Sequence, residues 1–171
     1  GKPLIISAEA GLLSLRGQDL DVWEVKSFAD MAEIFTFLQT DKTYDWICLD
    51  SISEIAETVL SNEKKNTKDG RKAYGDMADI MATLIRSFRD IPKNVYMSAK
   101  QGKVKDEVTG GVFHGPMMPG QQLTQGIGYY FDEVFALHNW KDDQGQFQSA
   151  LQTRRDAQYE AKDRSGALDA V

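Results

Sequence analysis

Trp46-Ile47-Cys48-Leu49-Asp50-Ser51 is the stretch that decides the fold. Four apolar residues in a row, with no polar alternation, mark a strand covered on both faces, as in a parallel sheet. The run ends on a carboxylate. Ligands of open α/β sheets collect at the C-terminal ends of the strands, so Asp50 is placed to face a ligand without being entombed in a core. Buried strands also end in Asp for turn or capping reasons, and the motif by itself leaves both readings open.

The neighbouring segments extend the pattern. Upstream, Leu4-Ile5-Ile6 is a short apolar run followed by Ser7-Ala8-Glu9-Ala10, a second buried strand with an acidic residue just past its end. Downstream, Val95-Tyr96-Met97-Ser98 reads as a third, and Asp21 to Val25 as a weaker one. Between them the period changes to that of helices. Ser27 with Asp30 has the form of a capping box, and Met31, Phe35 and Leu38 follow at helical spacing. A helix is expected over about 53–61. A long one follows over about 74–89, with Met77, Ile80, Met81, Leu84, Ile85 and Phe88 on one face, and Pro92 stops it. Residues 62–71 are polar and charged and read as a loop. Residues 100–128 contain seven glycines with Pro116 and Pro119 and no sustained period, the mark of a long functional loop. Strand pattern returns over 130–138, with hairpin turns expected at Asp142-Asp143-Gln144-Gly145 and near Arg155-Asp156-Ala157. The fold expected is α/β: one core over 1–171, a mainly parallel sheet flanked by helices, with antiparallel strands at its C-terminal edge.

Composition narrows the classes. With 171 residues, 42% hydrophobic and 27% charged, the chain fits one ordinary globular domain. No apolar run approaches the ~20 residues of a membrane span, so no membrane partner is expected. One cysteine, Cys48, forbids an intrachain disulfide and suits a reducing cytoplasm. With two histidines besides, a structural zinc site has too few ligands. The net charge of −6 argues against nucleic-acid binding by the surface as a whole. The charge is uneven, however: Glu63 to Lys72 holds Lys64, Lys65, Lys68, Arg71 and Lys72 against only Glu63 and Asp69. A local patch of this kind binds phosphates on an acidic protein, and it is equally the composition of a solvated surface.

Glu9 and Asp50 together place two carboxylates at one edge of one sheet, a pair able to hold a metal and polarise a water for attack on a phosphate. At this point the chain resembles the RecA-like ATPase core, and phage-encoded single-core recombinases in particular. Ser7-Ala8-Glu9-Ala10 resembles the segment that carries the family's catalytic glutamate. Leu49-Asp50-Ser51 resembles its Walker B strand end, which holds Mg2+ and ATP; the magnesium would sit on Asp50, through water. Ser98-Ala99-Lys100-Gln101 resembles the end of the strand that senses the γ-phosphate, with Lys100 or Gln101 in that role. Residues 62–72 and 102–124 match two mobile loops that contact single-stranded DNA in the family. The resemblance thus implies DNA contacts from Lys64, Lys65, Lys68, Arg71 and Lys72, from Lys103 and Lys105, and from Met117 and Met118 as wedges between bases. Lys162-Asp163-Arg164-Ser165-Gly166 resembles the late segment whose basic residues reach a neighbouring subunit's ATP, which makes Lys162 and Arg164 candidates and implies self-association as a filament or ring.

The departure from the family is its defining element. No G-x-x-x-x-G-K-[ST] run occurs, and Gly1-Lys2 is followed by Pro3 and directly by a strand. The expectation is a core whose first strand and P-loop precede Gly1. Three functions stay open: an ATP-dependent recombination ATPase on single-stranded DNA, a non-hydrolysing DNA-binding or assembly module of the same shape, and another P-loop ATPase.

Overall fold

The computed structural model describes residues 1–9, 11–106 and 110–168. Ala10 and part of the expected 102–124 loop therefore lie outside the described residues. Two compact units emerge, Gly1–Lys100 with Met118–Leu123, and Gln101–Met117 with Thr124–Val171.

The first unit holds the parallel sheet. Its strands are β1 (Pro3–Ser7), β2 (Asp21–Glu24), β3 (Trp46–Asp50) and β4 (Asn94–Met97), in the order β2-β1-β3-β4. All three pairings are parallel, with Ser7 opposite both Glu24 and Asp50, and Leu49 opposite Met97. The apolar runs thus became adjacent parallel strands, but they are covered fully on one face only, not on both as their lack of alternation led one to expect. Leu4, Ile6, Ile47 and Leu49 share one face of this register and are wholly buried. Helix α1 (Phe28–Thr40) contributes Met31, Ile34 and Leu38 to the core, one stripe at helical spacing. Its start is fixed by Asp30, whose carboxylate accepts from the Ser27 N–H (2.8 Å) and hydroxyl (3.0 Å). The opposite face of the sheet is less covered: Val22, Trp46 and Tyr96 are 42%, 45% and 53% exposed. Trp46, the first residue of the apolar run, stands on this more open face.

The expected loop over 62–72 is not a loop. Helix α2 (Ile52–Asn66) continues through Lys64 and Lys65, and α3 (Gly70–Arg89) begins one residue before Arg71. Only Thr67, Lys68 and Asp69 connect them. Asp69 caps α3, accepting at one carboxylate oxygen from the N–H groups of Arg71 (2.9 Å) and Lys72 (3.3 Å). Both helices were expected, but local polarity concealed their facing ends, because the buried stripe that pairs the two lies nearer their middles: Ile52, Ile55, Ala56, Val59 and Leu60 on α2, Ala73, Met77, Met81, Leu84 and Ile85 on α3. The ends of such an antiparallel pair are free to be polar.

The second unit corrects the second loop. β5 (Lys100–Lys105) and β6 (Val112–Met117) form a two-stranded sheet, and a short α4 (Gln121–Gly126) follows. β7 (Glu133–Val134), β8 (Ala136–Lys141), β9 (Phe147–Gln152) and β10 (Lys162–Asp163) complete it. The hairpin expected at 142–145 is present: β8 and β9 pair antiparallel from Ala136↔Gln152 to Lys141↔Phe147, and Gly145 takes a positive φ of 76° in the turn. The turn near 156 does not close a second simple hairpin. The chain there runs back beside β6, with the His114 N–H donating to Gln158 O and the Glu160 N–H to His114 O (2.6 and 2.7 Å). β10 pairs with β7 instead. The whole is a parallel sheet flanked by helices with antiparallel strand pairs, the α/β class expected.

Candidate functional site

The site is assembled by three parallel strands that end level with one another. Ser7 closes β1, Asp50 closes β3, and Ser98 follows β4 directly. Main-chain hydrogen bonds carry the registry past the strand ends: the Ala8 N–H donates to Asp50 O (2.8 Å), the Ser98 N–H to Leu49 O (3.0 Å), and the Ile52 N–H to Ser98 O (3.0 Å). Glu9 and Asp50 therefore stand at the same C-terminal edge. The peptide bond between Asp50 and Ser51 is cis.

Two short hydrogen bonds define the edge. Ser51 Oγ donates to Glu9 Oε1 at 2.5 Å, and Ser98 Oγ donates to Asp50 Oδ1 at 2.5 Å. Ser51 is also the N-cap of α2, accepting at Oγ from the Glu54 N–H (3.3 Å). The Asp50 charge is felt behind the edge. On the same face the Cys48 thiol and the Tyr96 hydroxyl are both pushed up, first by partial burial and then by the nearby carboxylate. Lys100 stands close by. Its Nζ pairs with Glu54 Oε2 (2.9 Å) and its N–H donates to Ser53 Oγ (2.9 Å). Its pKa is raised by the Glu54 hydrogen bond and charge, so it is a firm cation at the site.

These donors fit magnesium. They are carboxylates and hydroxyls, hard oxygen ligands. Ser7, the register partner of Asp50, is 1% exposed, and among the described residues its Oγ has no hydrogen-bond partner. Among the described residues no group of three or more His, Cys, Asp or Glu side chains gathers. That is the donor set of an ion held by one or two carboxylates, with waters and phosphates filling the remainder.

The other expected residues are dispersed. Lys64, Lys65, Lys68, Arg71 and Lys72 are exposed around the α2–α3 turn, and α2 alone is about 22 Å long at 1.5 Å per residue. They are therefore carried away from the carboxylate edge rather than lying beside it. Lys72 pairs with Asp76 (2.6 Å), and Lys64 Nζ lies over the Tyr74 ring at 5.1 Å. In the second unit Gln101, Lys103 and Lys105 share the exposed side of β5, while Val104 between them is buried, a period of two. Met117 is 41% exposed at the end of β6, but Met118 is 5% exposed and is not available as a wedge. Lys162 Nζ donates to Gly128 O (2.7 Å), and Arg164 makes an exposed ion pair with Asp132 (3.3 Å).

Three residues escaped the sequence reading. Ser7 and Ser98 are the first two. Each is a hydroxyl at the end of a strand beside Asp50, and the signal was their level ending with that strand. Glu160 is the third: a Cβ on Gly128 would stand 2.5 Å from one of its carboxyl oxygens and a Cβ on Gly115 2.8 Å from the other. Burial pushes its pKa up, against the pull of Arg155 and Lys162. No local pattern links those three positions.

A cavity of about 690 Å³ opens at the other end of the sheet, lined by Leu38, Asp41, Tyr44, Ile91 and Lys93 among others. Its buried ion pair is already matched: Lys93 Nζ donates to Asp41 O (2.9 Å), Asp41 Oδ2 (3.0 Å) and Tyr44 O (2.8 Å). The carboxylate edge, not this cavity, holds unsatisfied polar groups.

A parallel sheet with two carboxylates at its C-terminal edge has the layout of open α/β domains, which bind ligands at the carboxyl ends of their strands. A family model described as an AAA domain matches residues 1–165, and the chain belongs to that ATPase-type family. No curated protein and no solved structure matches. Among the described residues no helix is long and apolar enough to cross a membrane.

Proposed function

We propose that the chain is the core of a magnesium-dependent ATPase that works on single-stranded DNA, in the manner of a recombination ATPase, with the carboxylate edge as its hydrolytic site. The observation that carries this is the convergence of Glu9, Asp50 and the unsatisfied Ser7 hydroxyl at one strand edge. In this reading Asp50 holds magnesium through water, and the ion supplies charge neutralisation at the phosphates. Glu9 accepts a proton from the attacking water as that water's oxygen bonds to the γ-phosphorus and the bond to the ADP oxygen breaks. ADP and inorganic phosphate leave. Lys100 provides a fixed positive charge at the same edge. These residues contain no G-x-x-x-x-G-K-[ST] run to cradle the phosphates. The reading is tested by phosphate release from the protein expressed from its whole gene. Asp50→Ala is expected to lower Mg2+-dependent turnover by about tenfold or more, the scale of losing a charge partner in phosphoryl transfer. Turnover within twofold of wild type removes Asp50 from the site.

The DNA part of the reading is supported by charge placement. On a chain of net charge −6, exposed cations crowd the α2–α3 turn and the outer side of β5. Such contacts grip phosphates and carry little sequence information. In a salt titration of single-stranded DNA binding, Lys64→Ala/Lys65→Ala/Lys68→Ala is expected to weaken all sequences alike and to flatten the salt slope by about 2, near 0.7 for each lost phosphate contact. Equal slopes show the turn to be solvated surface only. Lys162 and Arg164 keep their proposed part in self-association, reaching a neighbour's nucleotide. Lys162 gives up its Gly128 contact to do so, and Arg164 gives up only an exposed pair with Asp132.

A further inference from the structure

Each carboxylate at the edge is gripped by a hydroxyl from the segment that follows a neighbouring strand. A serine hydroxyl has one proton to give and two acceptor lone pairs. Ser51 Oγ already accepts from the Glu54 N–H as the N-cap of α2, so its proton is directed elsewhere, and it goes to Glu9 Oε1. Ser98 Oγ has two acceptors in reach, Leu49 O at 3.4 Å and Asp50 Oδ1 at 2.5 Å, and the nearer, charged one takes the proton. Both serines are themselves fixed. Ser51 is 4% exposed and heads a helix, and Ser98 is held by main-chain bonds to Leu49 and Ile52.

We propose that Ser51 and Ser98 are positioning residues, each binding one oxygen of Glu9 or Asp50 so that the other oxygen is presented to the reaction. The proposal rests on the ATPase reading of the same edge. Glu9 lies on an exposed segment past its strand, where an unrestrained glutamate samples several rotamers and fixing one costs conformational entropy. The Ser51 bond supplies that order in advance. Among the described residues Glu9 Oε2 and Asp50 Oδ2 have no hydrogen bond, so the serines leave one oxygen of each carboxylate open. The two grips also divide the work: Ser98 acts on the carboxylate that holds the metal, and Ser51 on the one that takes the proton.

The test uses the protein expressed from its whole gene, with Mn2+ and ADP as a spectroscopically visible stand-in for Mg2+ and nucleotide, beside steady-state ATP turnover. Ser98→Ala is expected to weaken Mn2+ binding to the protein–ADP complex by about tenfold, the scale for losing an outer partner of a metal ligand. Ser98→Thr, which keeps the hydroxyl, restores it. Ser51→Ala is expected to lower kcat by about tenfold with KM for ATP within twofold, and Ser51→Thr to recover most of the loss. Unchanged Mn2+ affinity in Ser98→Ala together with unchanged kcat in Ser51→Ala overturns the proposal, whatever either change does to thermal stability. A wild-type protein that neither binds Mn2+ with ADP nor turns over ATP overturns the ATPase reading and the positioning roles with it. A wild type active in both assays, with serine variants that match it, overturns the positioning roles alone.

Discussion

Glu9→Gln is expected to lower ATP turnover by about a hundredfold or more while leaving nucleotide affinity within about threefold. The amide keeps the size and shape of the carboxyl, and its carbonyl oxygen still accepts the Ser51 hydroxyl that now bonds Glu9 Oε1. It lacks only the ability to take a proton. Phosphate-release kinetics paired with equilibrium nucleotide binding separate the two quantities. An equal fall in affinity and turnover assigns Glu9 to binding, and normal turnover removes it from the chemistry.

The largest expected loss of stability lies at the other end of the sheet. Lys93 and Asp41 form an ion pair whose side chains are 7% and 4% exposed. Lys93→Met removes the ammonium and leaves a buried carboxylate and two main-chain carbonyls without their donor, a change expected to cost about 3 kcal/mol. Urea denaturation measures it, and a loss below about 1 kcal/mol shows that water reaches the site. The double variant Lys93→Met/Asp41→Asn is expected to recover part of the loss, because no buried charge remains. The same pair sets a pH window. Burial acts to raise the Asp41 pKa but is outweighed by the N–H groups of Tyr44 and Thr43 and by Lys93, which hold it at about 2 against the ordinary 3.8. A carboxyl depressed on folding stabilises the native state above its ordinary pKa and loses that contribution as pH falls through the folded value. Stability worth about 2 kcal/mol is therefore expected to disappear between about pH 4 and pH 2, and to be absent from that window in Asp41→Asn.

Much of the first unit was legible because its information is local. Continuous apolar runs at Leu4–Ile6, Trp46–Leu49 and Val95–Met97 read as adjacent parallel strands, and they are, although one face of the sheet stays partly open at Trp46 and Tyr96. The Ser27–Asp30 capping box and the Asp142–Gly145 turn were readable for the same reason. The two loops were misread because their structure depends on partners distant in sequence. Lys64 and Lys65 are helical because Val59 and Leu60, one turn earlier, pack as part of a two-helix stripe, and the polar composition of 62–72 reports only the exposed end of it. β5 and β6 hold one glycine each and pair with each other, and Gly102 is small because Met117 lies against it, with its Sδ 2.5 Å from where a Cβ would be. Composition read that glycine as freedom of the backbone, whereas it marks a close approach. At the site, the carboxylates were visible and the hydroxyls that hold them were not. Serine is common at strand ends, and only the parallel register shows which oxygen each one reaches.

The central claim is that ATP is bound and hydrolysed at the C-terminal edge of the β1-β3-β4 sheet. The measurement that tests it most directly is a crystal structure of the protein expressed from its whole gene, with ADP, Mg2+ and a γ-phosphate mimic. The account predicts the metal beside Asp50, joined to it through water, with the mimic facing Glu9 and the Ser51 and Ser98 hydroxyls still on their carboxylates. Nucleotide seated elsewhere, at the Asp41–Lys93 end of the sheet or on the second unit, with Glu9 and Asp50 left in solvent, contradicts it.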